Sequence, residues 1–243
     1  MKNISVIIKS GLTPARDRIK IFFIVACSTL FLIKTFEYTS KKVNEQTLML
    51  SLLAILMVEN FLTCGVYGSL KKTISGIKFT HKIFISSALK FFIRFLLIKM
   101  LFIIFVIFFA GLLLIVVEAA GKLSLPAAAS IAFLWLVWLA IPAYYFVLSL
   151  FAPVVLFSQD TEIFQSIKMG IIFTRKFLNE IIVIAFFYFF SIGLLVYLPE
   201  KLYNFESTAW TIYKSITASI FEVGFISSLF LFYEKERNHE RNV

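Results

Sequence analysis

Long apolar runs alternate along this chain with short polar or basic stretches. The runs cover roughly 19–36, 47–70, 92–117, 126–157, 179–198 and 208–233. About 20 apolar residues in a helix cross the hydrocarbon of a bilayer, so each run predicts a membrane-spanning helix. The expected fold is all-α and polytopic: one six-helix transmembrane domain over residues 1–243. The fourth run exceeds a straight crossing, and Pro142 in its middle removes a backbone hydrogen bond, which predicts a kink there. Pro199 ends the fifth run.

The stretches between the runs carry their own periodicity. Ile4, Ile7 and Ile8 share one helical face before Gly11 and Pro14, which predicts a helix lying on the membrane surface. Ile83, Phe84, Ala88 and Phe91 suit one face of a second surface helix. Phe164, Ile167 and Ile171 suit a third over 161–175, with Asp160 placed to cap it. Residues 37–46 read as a polar loop, 119–125 as a tight turn and 234–243 as a mixed-charge tail. The three blocks 1–71, 72–158 and 159–243 share a hydropathy layout, without a residue-level repeat.

Charge orients the pattern. Lys71, Lys72, Lys78, Lys82, Lys90, Arg94 and Lys99 follow one another with no acid between them. With the N-terminus inside, the cytosolic segments hold 18 Lys and Arg and the outer segments 5. That asymmetry predicts both termini in the cytosol. Composition agrees, with 60% hydrophobic residues, 16% charged residues and 30 phenylalanines. A soluble core of this length does not need so many, and lipid is the simple surface for the excess. The net charge of +10 flanks apolar runs, so anionic lipid headgroups rather than nucleic acid are the expected partner. The first apolar run starts near Ile21 with no small-residue cleavage site after it, so no secretory signal is expected.

The polar candidates within the apolar runs are Glu59, Asn60, Lys99, Lys214 and Glu222. A charge at mid-bilayer costs at least ~2.5 kcal/mol on insertion scales and normally faces a bundle interior or a wet cavity. Glu59 and Glu222 each lie about eleven residues from the cytosolic end of their runs, hence at similar depth. One reading is a proton, cation or headgroup site. The other is a structural pair, with Lys99 in reach of Glu59. Ser215/Ser219, Gly224/Ser228 and Cys64/Gly68 are small-residue pairs one helical turn apart, suited to close helix packing within the chain. Trp135, Trp138, Tyr144 and Tyr145 surround the expected kink, as interface anchors or as a cavity lining. No phosphate loop, nucleophile elbow or metal-spaced cluster is present, and the two histidines, His81 and His239, fall in the expected cytosolic segments. Neither a cofactor nor a metal is expected.

The stretch Gly65-Val-Tyr-Gly68-Ser-Leu70, then Gly76, then Phe91-Phe92-Ile-Arg94-Phe95, resembles prokaryotic multi-span proteins related to the membrane domain of glycerophosphodiester phosphodiesterases. Phe151-Ala-Pro153, Ser166-Ile-Lys168 and Thr174-Arg175 are similar in placement to the second half of that group. The resemblance covers about two thirds of the chain. It implies a membrane module whose catalytic partner domain, where there is one, is separate, so no catalytic residue carries over. The six-span layout with surface helices also looks like the permease subunit of some ABC exporters, which would imply a cytosolic ATPase or another membrane subunit as partner. The expected function is therefore an inner-membrane module without a catalytic site, handling a lipid-like or amphipathic molecule or scaffolding a partner. The alternative is a permease subunit working with an ATPase in trans.

Overall fold

The computed structural model describes residues 2–12, 16–42, 45–122, 150–199 and 208–241. The described residues are helical, with no strand among them. The helices are α1 (Lys2–Leu12), α2 (Arg16–Lys42), α3 (Glu45–Ile74), α4 (His81–Lys122), α5 (Phe151–Gln159), α6 (Ile163–Lys176), α7 (Leu178–Ile192) and α8 (Thr208–Arg241). A π-helical turn, Gly193–Tyr197, extends α7. Three helical stretches among the described residues are long and apolar enough to cross a membrane: Leu50–Ile74, Leu178–Tyr197 and Ala209–His239.

Several expectations are corrected. The expected loop 37–46 is helical up to Lys42 and again from Glu45. The second surface helix and the third apolar run are one unbroken helix, α4, of 42 residues. Lys82, Lys90, Arg94 and Lys99 change the character of the surface there, but Lys and Arg are good helix formers and give the backbone no reason to stop. The expected tail is helical through Arg241, and the turn expected at 119–125 is helix as far as Lys122. Pro142, the aromatic residues around it and most of the fourth apolar run lie outside the described residues.

The chain forms two compact units, residues 1–92 with 178–243, and residues 93–177. In the first unit α8 is the hub, packed against α1, α2, α3 and α7. Small residues let it serve so many neighbours. Ser215, Ser219, Ser227 and Ser228 are all buried on it. Gly224 sits beneath Leu12 and the Tyr188 ring. The Tyr188 hydroxyl and Ser228 Oγ are hydrogen-bonded at 2.9 Å in the interior. The small-residue pairs on α8 thus serve packing within the chain. So does Gly68 on α3, which lies against Ser87.

Termini of elements follow local chemistry. α3 ends in a Schellman motif: Ile77 N–H donates to Lys72 O, Gly76 N–H donates to Thr73 O, and Gly76 takes φ +83°, open to it without strain. Thr80 then caps α4, its Oγ1 accepting from Ile83 N–H at 3.3 Å. The last carbonyls of α1 are held by a cation from beyond Pro14. Arg18 Nη1 donates to Ser10 O at 2.7 Å and to Gly11 O at 3.4 Å, satisfying orphan acceptors at the negative end of the helix dipole. Burial lowers the pKa of Arg18, yet a guanidinium stays charged in proteins.

In the second unit α5 and α6 form a helical hairpin. Asp160 does not cap α6. It ends α5 in the left-handed conformation, φ 54° and ψ 39°, with its N–H donating to Leu156 O. Its carboxylate accepts from Arg94 Nη1 at 2.9 Å. Glu162 holds the position before α6 and makes no side-chain cap. α6 begins only at Ile163, behind Glu162, so the Asp160 carboxylate stands two residues too early to cap it.

Candidate functional site

A half-open cavity of about 560 Å³ lies between α2, α3 and α8. The α2 wall is Val25, Ser28, Thr29, Leu32 and Ile33; the α3 wall is Ile55, Glu59, Leu62, Thr63 and Val66; α8 contributes Glu222. From Ile55 to Val66 the α3 wall runs about 16 Å, three turns at 1.5 Å per residue. Glu59 and Glu222, read from the sequence as acids of similar depth, both line this cavity. No Lys, Arg or His is among its described lining residues.

Sequence periodicity explains the walls. On α3 the lining residues recur at spacings of three and four, so they form one face of the helix. On α2, Val25, Ser28, Thr29, Leu32 and Ile33 do the same. Two of the hydroxyls on these faces, those of Ser28 and Thr63, are already engaged. Ser28 Oγ donates to Ile24 O at 2.5 Å, with Val25 O at 3.0 Å. Thr63 Oγ1 donates to Glu59 O at 2.8 Å. Each hydroxyl spends its proton on its own helix and keeps lone pairs free to accept. Glu222 is close enough to the Tyr67 hydroxyl for an electrostatic interaction, and the Tyr67 ring packs edge-on against Phe230, centroids 5.8 Å apart. Among the described lining residues, two carboxylates and the lone pairs of Ser28 and Thr63 are thus set in an aliphatic wall.

The other sequence candidates do not line this cavity. Asn60, 1% exposed, turns toward α4, where its Nδ2 donates to Phe92 O at 3.3 Å, leaving Oδ1 buried without a hydrogen-bond partner. Lys99 belongs to the second unit, whereas Glu59 belongs to the first. Its ammonium lies 5.2 Å from the centre of the Phe95 ring. Lys214 is half-buried on α8, two turns before Glu222. Of the basic block, Lys71 and Lys72 close α3, Lys78 is in the exposed turn, and Lys82, Lys90 and Arg94 lie along α4. Ser28 and Thr29 were not singled out from the sequence. Their only signal is a pair of hydroxyls inside the clean apolar stretch Ile21–Ile33, which helical backbones tolerate without functional cause.

No family model, curated protein or solved structure matches this chain. No group of three or more His, Cys, Asp or Glu among the described residues could hold a metal ion. The arrangement is suited to binding: a volume in the range of small-molecule sites, apolar walls and a few fixed polar groups.

Proposed function

We propose that this protein is a multi-span membrane module, without a catalytic site of its own, that binds an amphipathic molecule from within the bilayer. The observation that carries the reading is the half-open cavity between α2, α3 and α8, with two carboxylates set among aliphatic side chains. At the depth of Glu59 and Glu222 an opening faces acyl chains rather than water, so a ligand would enter laterally.

The same proposal includes the membrane arrangement. Six helices cross the cytoplasmic membrane with both termini in the cytosol, because the basic segments then face inward. Outward-turned Phe23, Phe31, Phe186, Phe189 and Phe190 on α2 and α7 are the residues that would meet lipid, and α6 is the helix that would lie along the cytosolic surface.

Two measurements test it. Native mass spectrometry of the purified chain should find a bound amphiphile that is lost when Ser28→Trp fills the cavity; a fold-intact Ser28→Trp protein that retains the full complement would refute the site. Single cysteines at Asn44, Lys122 and Asn204, in a chain lacking Cys27 and Cys64, should react with an impermeant maleimide from outside. Cysteines at Lys78 and Gln165 should react only after permeabilisation, and the reverse pattern would end the orientation.

A further inference from the structure

We infer that the C-terminal end of α7 is a hinge, latched to α8 by the hydroxyl of Tyr213. The hinge lies outside the cavity and does not depend on an amphiphile being bound there. Ser191, Gly193 and Pro199 loosen α7 in succession. Ser191 Oγ donates to Phe187 O at 2.7 Å, a bond from a side chain back to its own helix that tends to bend it. Gly193 opens the π-helical turn, and glycine favours helix less than any residue but proline. Pro199 is still helical. It has no N–H for the carbonyl four residues back, which is Leu195 O, and its ring crowds that oxygen.

The backbone bends to this chemistry. In an α-helix Leu198 N–H would donate to Leu194 O; here it donates to Gly193 O, one residue further back. The extra residue widens the turn ahead of Pro199. Leu195 O then takes its donor from another helix, the Tyr213 hydroxyl, at 3.3 Å. Trp210, one turn earlier on α8, stacks on the Tyr213 ring with centroids 5.0 Å apart and sets its direction. Neighbouring helices satisfy proline-freed carbonyls in this way inside membranes, and Leu178–Tyr197 is long and apolar enough to cross one. A separation of 3.3 Å is long for a hydroxyl bond, and Tyr213 is exposed, so thermal motion can open the latch. Little else holds the segment. From Leu194 to Leu198 every side chain but Val196 is exposed, whereas Ile181, Ile184, Ala185 and Tyr188 bury the body of α7. Packing does not demand Gly193, since a Cβ there would meet no atom within 4 Å. A few residues that absorb backbone change, between a fixed body and a lightly held end, are what a hinge requires.

Hydrogen exchange of the full chain in dodecyl maltoside, read by mass spectrometry, tests the latch and the hinge together. Tyr213→Phe keeps the ring and removes the donor. Amides 194–198 should then exchange about three- to tenfold faster, the loss of one hydrogen bond, while amides 181–188 keep their rate. Pro199→Ala gives Leu195 O a donor within its own helix. Alone it should slow exchange over 194–198, and in its background Tyr213→Phe should add no change. Gly193→Ala, which has room for its methyl, should also slow 194–198 by stiffening the turn. An unchanged rate in Tyr213→Phe would overturn the latch. An acceleration of equal size with and without Pro199 would overturn the hydroxyl's part as the substitute for proline's missing donor. Acceleration spread evenly over α7, or no slowing in either alanine variant, would overturn the hinge. None of these outcomes bears on the amphiphile reading, whose own test is the bound molecule lost in Ser28→Trp.

Discussion

Helices α1 and α6 are both short, both carry an apolar stripe, and both have basic residues in their last turn, Lys9 in one and Arg175 with Lys176 in the other. They offer opposite faces to their neighbours. α1 buries its stripe: Ile4, Ile7 and Gly11 close against the protein, and α8 is the helix it packs on. α6 turns its stripe outward, with Phe164 78% exposed and Ile167 and Ile171 half-exposed, while Ser166, Gly170, Phe173 and Thr174 pack inward. Opposite α1, Gly11 lies against the Ser228 side chain and the Gly224 carbonyl, and Gly224 itself meets Leu12. Opposite α6, the backbone of Ala152 on α5 comes so near that only a glycine fits: a Cβ on Gly170 would stand 2.6 Å from Ala152 N and 2.9 Å from its Cα. An apolar stripe states that a surface prefers not to face water. Whether protein or lipid covers it depends on where the small residues sit.

The widest gap between the two helices should appear on truncating one stripe residue from each. Ile7→Ala should cost about 2–5 kcal/mol, the loss for a buried branched side chain, whereas Phe164→Ala should change stability by no more than about 0.5 kcal/mol. Denaturant unfolding of the purified protein in one detergent measures both. Equal losses would mean that the stripe of α6 is covered by protein after all.

A smaller effect should separate the two glycines. Gly170→Ala pushes a methyl into backbone atoms, which cannot step aside, and overpacking of this kind costs about 1–3 kcal/mol. In Gly11→Ala the new methyl meets the Ser228 side chain as well as Gly224 O at 2.8 Å. Ser228→Ala removes the hydroxyl, so the Gly11→Ala loss should shrink in that background and the pair should be non-additive. The same cycle between Gly170 and Ser166 should be additive, because the obstruction at Gly170 is main chain. Full additivity at Gly11 and Ser228 would place the obstruction there in the backbone too.

Much of this was legible in the sequence, and the misses have physical causes. Helical content and the apolar runs follow from hydropathy alone. Glu59 and Glu222 stood out because a carboxyl in an apolar run is costly, and the expectation of similar depth came from counting along two apolar runs. That they share a cavity depends on which helices are neighbours, and hydropathy does not encode adjacency. The α2 wall was hidden for a further reason: Ser28 hydrogen-bonds within its own helix, so its sequence context looks like any tolerated serine. The second surface helix and the third apolar run, read as separate elements, form one helix because charge marks an environment while propensity governs the backbone, and 81–99 holds no Gly or Pro. The cap expected of Asp160 failed because α6 starts behind Glu162, two residues later, and Asp160 instead ends α5 and pairs with Arg94.

The finest test of the contrast concerns what covers the outward stripe of α6. On the membrane reading the stripe faces acyl chains, and Lys168, Arg175 and Lys176 hold it at the headgroups. Phe164→Trp, in a chain whose Trp135, Trp138 and Trp210 are changed to Phe, reports on that environment. Reconstituted in vesicles, its emission should be quenched by brominated lipid, while a tryptophan at buried Phe173 should be shielded. Each basic residue near an anionic surface contributes about 1 kcal/mol. Changing Lys168, Arg175 or Lys176 singly to Gln should therefore weaken quenching only slightly, and only when the vesicles contain anionic lipid. Added salt should erase even that difference, because exposed charges are screened beyond about 10 Å at 0.1 M. Quenching that ignores both salt and headgroup charge would mean that Phe164 alone sets the depth of α6. An unquenched tryptophan at 164 would mean that the stripe is covered by something other than lipid.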